Sequence, residues 1–187
     1  MTRPLRDRAA IVGIGQTEFS KNSGRSELQL ACEAVKAALD DAGLTPGDVD
    51  GMTTFTMDTS DEIELARAIG AGDLTFFSRV PYGGGAAIGV VQHAVMAVAT
   101  GAAECVVVYR AFNERSGRRY STGISEGIVT ADLIHWSWYL PFGLVTPASW
   151  VAMYTQRYMH EYGCTGADLA RVAVSARRHA VNNPNAF

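Results

Sequence analysis

Short continuous apolar runs alternate with helical stripes along the chain, and their order predicts an α/β fold. Ala9–Gly15 (AAIVGIG) is an apolar run ending in glycines, the pattern of a buried parallel strand. From an N-capping Ser26 to about Ala42, the residues Leu28, Ala31, Cys32, Val35, Ala38 and Leu39 share one helical face, with Gly43 at the C′ position. Thr45-Pro46-Gly47-Asp48 reads as a short helical turn. Gly51–Thr56 is a second strand, Asp61–Ile69 a short helix ended by Gly70, and Leu74–Val80 a third strand. Pro81-Tyr82-Gly83-Gly84-Gly85 leads into a helix from about Ala86 to Thr100. Its small residues suit a buried position between layers. Gly101 ends that helix, and Glu104–Ala111 is a fourth strand. The order β-α-β-α-β-α-β with short loops implies a largely parallel sheet with right-handed crossovers.

The periodicity then lapses. Residues 112–147 form a loop or insert region with Arg115, Arg118, Arg119 and an aromatic block of Trp136, Trp138, Tyr139 and Phe142. A stretch this long without periodicity is functional or an interface loop. Two further helices are expected at Ala148–Tyr162 and Ala167–Val181. The expected organisation is an α/β core at 1–111, the loop region at 112–147 and a helical continuation at 148–187.

Composition narrows the function classes. The chain has 187 residues, 48% hydrophobic and 19% charged, which is globular and the size of roughly one domain. A net charge of −3 supplies no field to attract nucleic acid or an acidic membrane surface. Apolar runs are broken well before the length of a membrane span, and the basic N-terminus runs into a strand-like segment without the apolar region of a signal peptide. The cysteines Cys32, Cys105 and Cys164 are odd in number and far apart, with no C-x-x-C. That argues against a disulfide framework or a zinc site and fits a reducing cytoplasm.

The candidate chemistry centres on Gly83–Gly85, between a strand and a helix. As a phosphate loop this segment lacks both G-x-G-x-x-G and G-x-x-x-x-G-K-[ST]. As an oxyanion site it would aim free N–H groups of a helix N-terminus at developing negative charge. As packing, it lets the helix lie tight on the sheet, and pattern alone favours this last reading. The histidines His93, His135, His160 and His179 have no ligand spacing, so no metal is expected. Asp58, Asp61 and Glu62 form an acidic cluster whose better reading is electrostatic support of a helix N-terminus. The aromatic block is either a tunnel lining or a subunit contact.

The opening AAIVGIGQTEFSKNSGRSELQLACEAVKAALDDAGLTPGDVDG resembles the thiolase superfamily in its lipid-transfer-protein branch. FTMDTSDEIELARA, the Tyr82–Ile88 segment, MAVATGAAECVVVYRAFNERSGRR and ARRHAVNNPNAF extend the likeness over nearly the whole chain. FSKNSGRSEL, FTMDT, YGGGAA and YRAFNERSG are similar to the steroid side-chain-cleaving aldolases of actinobacterial cholesterol catabolism. The resemblance is to the N-terminal half of a thiolase-like fold, a largely parallel sheet with flanking helices and a central buried helix. It implies that the chain stops before the second half, where the main acid/base residues are expected.

One departure bears on chemistry. Thiolases carry a nucleophilic cysteine in the turn that here reads Val80-Pro81-Tyr82-Gly83-Gly84-Gly85-Ala86, with neither cysteine nor serine. Acyl-enzyme chemistry is therefore not expected. The resemblance implies a carbon–carbon lyase that cleaves a β-hydroxyacyl-CoA steroid side chain to a keto steroid and propionyl-CoA. No cofactor beyond the substrate's CoA is implied. Gly83, Gly84 and Gly85 are placed as substrate and oxyanion contacts, and Tyr82 as a catalytic candidate. A homodimer through the third-strand edge and a zinc-ribbon/OB-fold partner protein are also implied. The alternative is a non-catalytic thiolase-like subunit that binds lipid or acyl-CoA within a complex.

Overall fold

A computed structural model describes residues 5–55, 60–80, 85–117 and 137–186, with only the backbone at Phe55. The chain forms two compact units, residues 1–117 and 118–187.

In the first unit, α1 (Glu27–Ala42) starts at Ser26, whose hydroxyl accepts from the Gln29 N–H, and stops at Gly43 with φ 69°. β1 (Gly51–Phe55), α2 (Glu62–Ile69), β2 (Phe76–Val80), α3 (Ala86–Thr100) and β3 (Val106–Val108) follow in order. Among the described residues, the three strands are parallel in the spatial order β2-β1-β3, so β1 is central and β2 lies at an edge. One face of the sheet carries α1 and α2, where Leu30, Ala31, Val35, Leu39, Met52 and Leu65 form the core. The other face carries α3, whose Ala86, Val90, Ala94 and Ala97 are buried. The central-helix expectation is met on that face, and Ile88 and Met96 on the opposite face are exposed. Asp50 ties the amino ends of the strands together: its carboxylate accepts from the Glu104 and Cys105 N–H groups at 2.8 Å each, and its carbonyl from Thr75 N–H at 2.8 Å.

The expected strand at Ala9–Gly15 is absent. Its glycines lie so close to α1 that a Cβ at Gly13 or Gly15 would overlap the Ala38 or Ala34 carbonyl oxygen. The Ile14 N–H donates to the Asp41 carboxylate at 2.9 Å rather than to a strand. Ile11, Val12 and Ile14 are exposed, and no strand among the described residues pairs with this segment. The fourth strand is also shorter than expected, Val106–Val108 instead of Glu104–Ala111. The Asp50 carboxylate takes the Glu104 and Cys105 N–H groups before the strand begins, and the Tyr109 N–H donates to the Thr53 carbonyl at its far end.

In the second unit, α4 (Pro147–Tyr162) is capped by Thr146, and α5 (Gly166–Ala180) begins with a Thr165–Asp168 capping box. Among the described residues, no helix is long and apolar enough to cross a membrane.

Candidate functional site

The parallel pairing decides where the glycine-led turn ends. β2 and β3 run the same way, so α3 must run back between them, and its N-terminus lies at the carboxyl ends of the strands. In open α/β sheets that is where ligands bind. Of the residues singled out there, Tyr82, Gly83 and Gly84 lie outside the described residues, and Gly85 is placed as the N-cap of α3. Gly85 has φ −65° and ψ −26°, and its carbonyl accepts the Ile88 and Gly89 N–H groups at 3.2 and 3.1 Å. Gly85 supplies no side-chain cap to the first-turn N–H groups, which lie at the positive end of the helix dipole.

The packing and anion readings of this segment separate at two glycines. A Cβ at Gly89 would sit 3.3 Å from Val80 Cγ1, so Gly89 is where close approach of α3 to β2 calls for glycine. A Cβ at Gly85 would meet nothing within 4 Å among the described residues, so packing does not demand glycine there. On the same face Ser78 Oγ and His93 Nδ1 are hydrogen-bonded at 2.8 Å, which joins β2 to α3 and satisfies the half-buried histidine.

The acidic cluster does more than its sequence suggests. Asp58 lies outside the described residues, whereas Asp61 is the N-cap of α2 and Glu62 its first residue. Asp61 makes no side-chain capping bond. Its carboxylate instead meets Arg79 Nη2 at 3.1 Å, and Glu62 Oε2 meets the same nitrogen at 3.2 Å. Glu62 is buried. Desolvation works against the Arg79 charge, but the hydrogen bond to Glu62 and the charges of Glu62 and Asp61 outweigh it and raise the arginine pKa. A lone charge inside an apolar strand was the sequence signal for this pairing, and its partners are not local.

The thiols lie elsewhere. Burial raises the pKa of Cys32 and Cys105 despite an opposing backbone hydrogen bond at Cys32, so both stay protonated at neutral pH. Cys164 sits between α4 and α5. His160 and His179 fall near the ends of α4 and α5 in the second unit, and His135 is outside the described residues. Trp136, Arg118 and Arg119 are likewise outside. Trp138 and Phe142 are exposed within the second unit, and Tyr139 packs on Trp150 at 5.2 Å between centroids.

A second feature escaped the sequence reading. Asn113 joins two of the strings that carried the resemblance. It accepts from Ser23 Oγ at 2.7 Å, donates from Nδ2 to the Arg25 carbonyl at 2.7 Å, and donates its N–H to Glu27 Oε1 at 3.0 Å. Arg25 in turn pairs with Glu18 and Glu33. Beside this knot lies a hollow of about 280 Å³ lined by Gly15, Phe19, Leu30, Arg110 and Phe112 among others.

No family model matches the chain. It is 66% identical over 184 residues to a steroid side-chain-cleaving aldolase of Thermomonospora curvata, covering 96% of this chain and 46% of that protein. It is 60% identical to 17-hydroxy-3-oxo-4-pregnene-20-carboxyl-CoA lyase of Mycobacterium tuberculosis, over 98% of this chain and 48% of that one. An acetyl-CoA acetyltransferase of Methanothermobacter thermautotrophicus is 30% identical over 97% of this chain and 47% of its own length. The solved Ltp2-ChsH2(DUF35) aldolase superposes with a TM-score of 0.81 at 66% identity, over 95% of this chain and 44% of that chain. The chain spans about half the length of the curated relatives it matches, and it belongs to the thiolase superfamily.

Proposed function

We propose that the protein acts as a retro-aldolase on a β-hydroxyacyl-CoA steroid side chain, releasing a keto steroid and propionyl-CoA. The observation that carries this reading is α3's glycine-led N-terminus at the carboxyl end of the sheet, after a turn whose sequence holds neither cysteine nor serine. The names of two of the similar relatives support it. A base removes the β-hydroxyl proton, the Cα–Cβ bond breaks as the ketone forms, and the bonding pair passes to the thioester as its enolate. N–H groups around Gly83–Gly85 stabilise the enolate oxygen, and an acid then protonates the α-carbon to give propionyl-CoA. No covalent intermediate and no cofactor beyond the substrate's CoA is needed. Tyr82 borders the thioester as a hydrogen-bond donor in this scheme, and the principal acid and base come from outside this chain's residues.

The active assembly in this reading is a homodimer through the β2 edge, where Phe77 is 65% exposed, joined by a zinc-ribbon/OB-fold protein. The second polypeptide named in the solved aldolase supports a partner of this kind. The test is to supply a steroid β-hydroxyacyl-CoA to the full-length protein with its partner and measure both products. One propionyl-CoA per keto steroid is expected. Saturable binding of the acyl-CoA without cleavage would replace this reading by the non-catalytic subunit.

A further inference from the structure

We propose that two copies of the chain pair their β2 strands antiparallel about a two-fold axis at Ser78, so that Phe77 of each copy stacks on Arg79 of the other. The proposal rests on the reading of the active assembly as a homodimer through the β2 edge, and it fixes the register of that contact. β2 pairs with β1 on one side, and no strand among the described residues takes its other edge. The Phe76 N–H donates to the Asp50 carbonyl at 3.3 Å, so the alternation along the strand turns the backbone groups of Phe77 and Arg79 to the open edge. Antiparallel bonding across that edge must run through these two residues.

Side-chain chemistry then selects the register. Arg79 opposite Arg79 would set like charges face to face. Phe77 opposite Phe77 would place Arg79 against Thr75, outside the strand. Phe77 opposite Arg79 puts Ser78, the middle residue of Phe76–Val80, on the axis and engages all five residues, with Phe76 opposite Val80. Phe77 and Arg79 share one face of β2 by alternation, the face toward the start of α2. Phe77 is 65% exposed, a large bare aromatic surface on an edge strand. Arg79 is clamped by Asp61 and Glu62, which meet its Nη2 at 3.1 and 3.2 Å, and its side chain is still 38% exposed. A guanidinium bonds carboxylates through its edge and stacks on rings through its face, so the clamp and the stack are compatible. The clamp also holds the guanidinium in place before the second copy arrives, which lowers the entropy lost on association. On the opposite face Ser78 is bonded to His93 at 2.8 Å, so one such pair from each copy flanks the axis.

Cysteine pairing in the full-length protein tests the register. Two residues facing each other at the axis have Cα atoms about 4.5 Å apart, within disulfide reach, whereas the two copies of position 77 would lie about 8 Å apart, beyond it. Under mild oxidation Ser78→Cys is expected to give a covalent dimer, with the link at position 78 identified by mass spectrometry of the joined peptide. Phe77→Cys is expected to give no link at position 77. The stack has its own test, independent of that variant. Phe77→Leu keeps an apolar side chain but loses both ring–guanidinium contacts, and is expected to raise the dimer dissociation constant in sedimentation by about 10-fold. Phe77→Trp is expected to leave it at or below the wild-type value. A link at position 77, or a dimer that forms no link at position 78, overturns the register. Equal dissociation constants for Phe77→Leu and wild type overturn the stack. A monomer of the unaltered protein at micromolar concentration overturns the homodimer reading itself, and the register with it.

Discussion

A helix N-terminus carries unpaired N–H groups and a partial positive charge, and at α3 the N-cap Gly85 adds no side-chain cap to them. Replacing Gly83 or Gly84 by valine is expected to place a branched side chain against the thioester and to lower turnover by about 10²–10³, the effect of losing one oxyanion donor. Steady-state rates with the β-hydroxyacyl-CoA check this. The cysteines make the complementary case. The raised pKa of Cys32 and Cys105 leaves little thiolate at neutral pH, and neither lies in the turn. Changing Cys32, Cys105 and Cys164 together to alanine is expected to keep turnover within about tenfold of wild type, a margin for packing losses. Inactivation by a thiol alkylator through one of them, with the fold intact, would refute the non-covalent mechanism.

The elements owe their ends to a few local bonds. Ser26→Ala removes the hydroxyl that caps α1 and is expected to cost about 1 kcal/mol in a urea titration. At the turn before β1, Thr45 donates its hydroxyl and its N–H to the Asp48 carboxylate, each at 2.7 Å. The side-chain bond and then the backbone bond hold the Asp48 pKa below the usual carboxylate range. A depressed folded pKa adds stability above the unfolded carboxylate pKa, and that stability is lost as pH falls through the folded value. Thr45→Val is therefore expected to destabilise the protein at neutral pH, with the deficit shrinking on acidification to about pH 3. Unfolding titrations at the two pH values measure the difference.

For the molecule as a whole, the core on one sheet face and the bare edge at β2 are the features with measurable consequences. Leu65 is fully buried between α2 and the sheet, so Leu65→Ala is expected to cost about 2–5 kcal/mol of unfolding free energy. Phe77→Lys puts a charge on the edge strand where the proposed two-fold contact lies. It is expected to shift sedimentation from dimer to monomer without lowering the thermal midpoint of the isolated fold. A dimer that survives this change would move the subunit contact to another surface.

Helices and their stops were legible in the sequence because their causes are local. α1, α2 and α3 end at Gly43, Gly70 and Gly101, each with positive φ, where spacing had placed a left-handed residue. The strand–helix alternation likewise carried the parallel sheet, and the glycine-led helix start could be read from its position in that order. Pairing was decided only in three dimensions. AAIVGIG has the composition of a strand, yet a strand exists only where a neighbour takes its hydrogen bonds, and in this structure that segment lies against α1 with its isoleucines exposed. The last strand starts at Val106 rather than Glu104, where the Asp50 side chain takes the Glu104 and Cys105 N–H groups. The Arg79 clamp and the Asn113 knot join residues 17 to 90 positions apart, beyond the reach of any periodicity. Local spacing set the elements, and the packing of elements on the sheet determined which side chains meet at its carboxyl end.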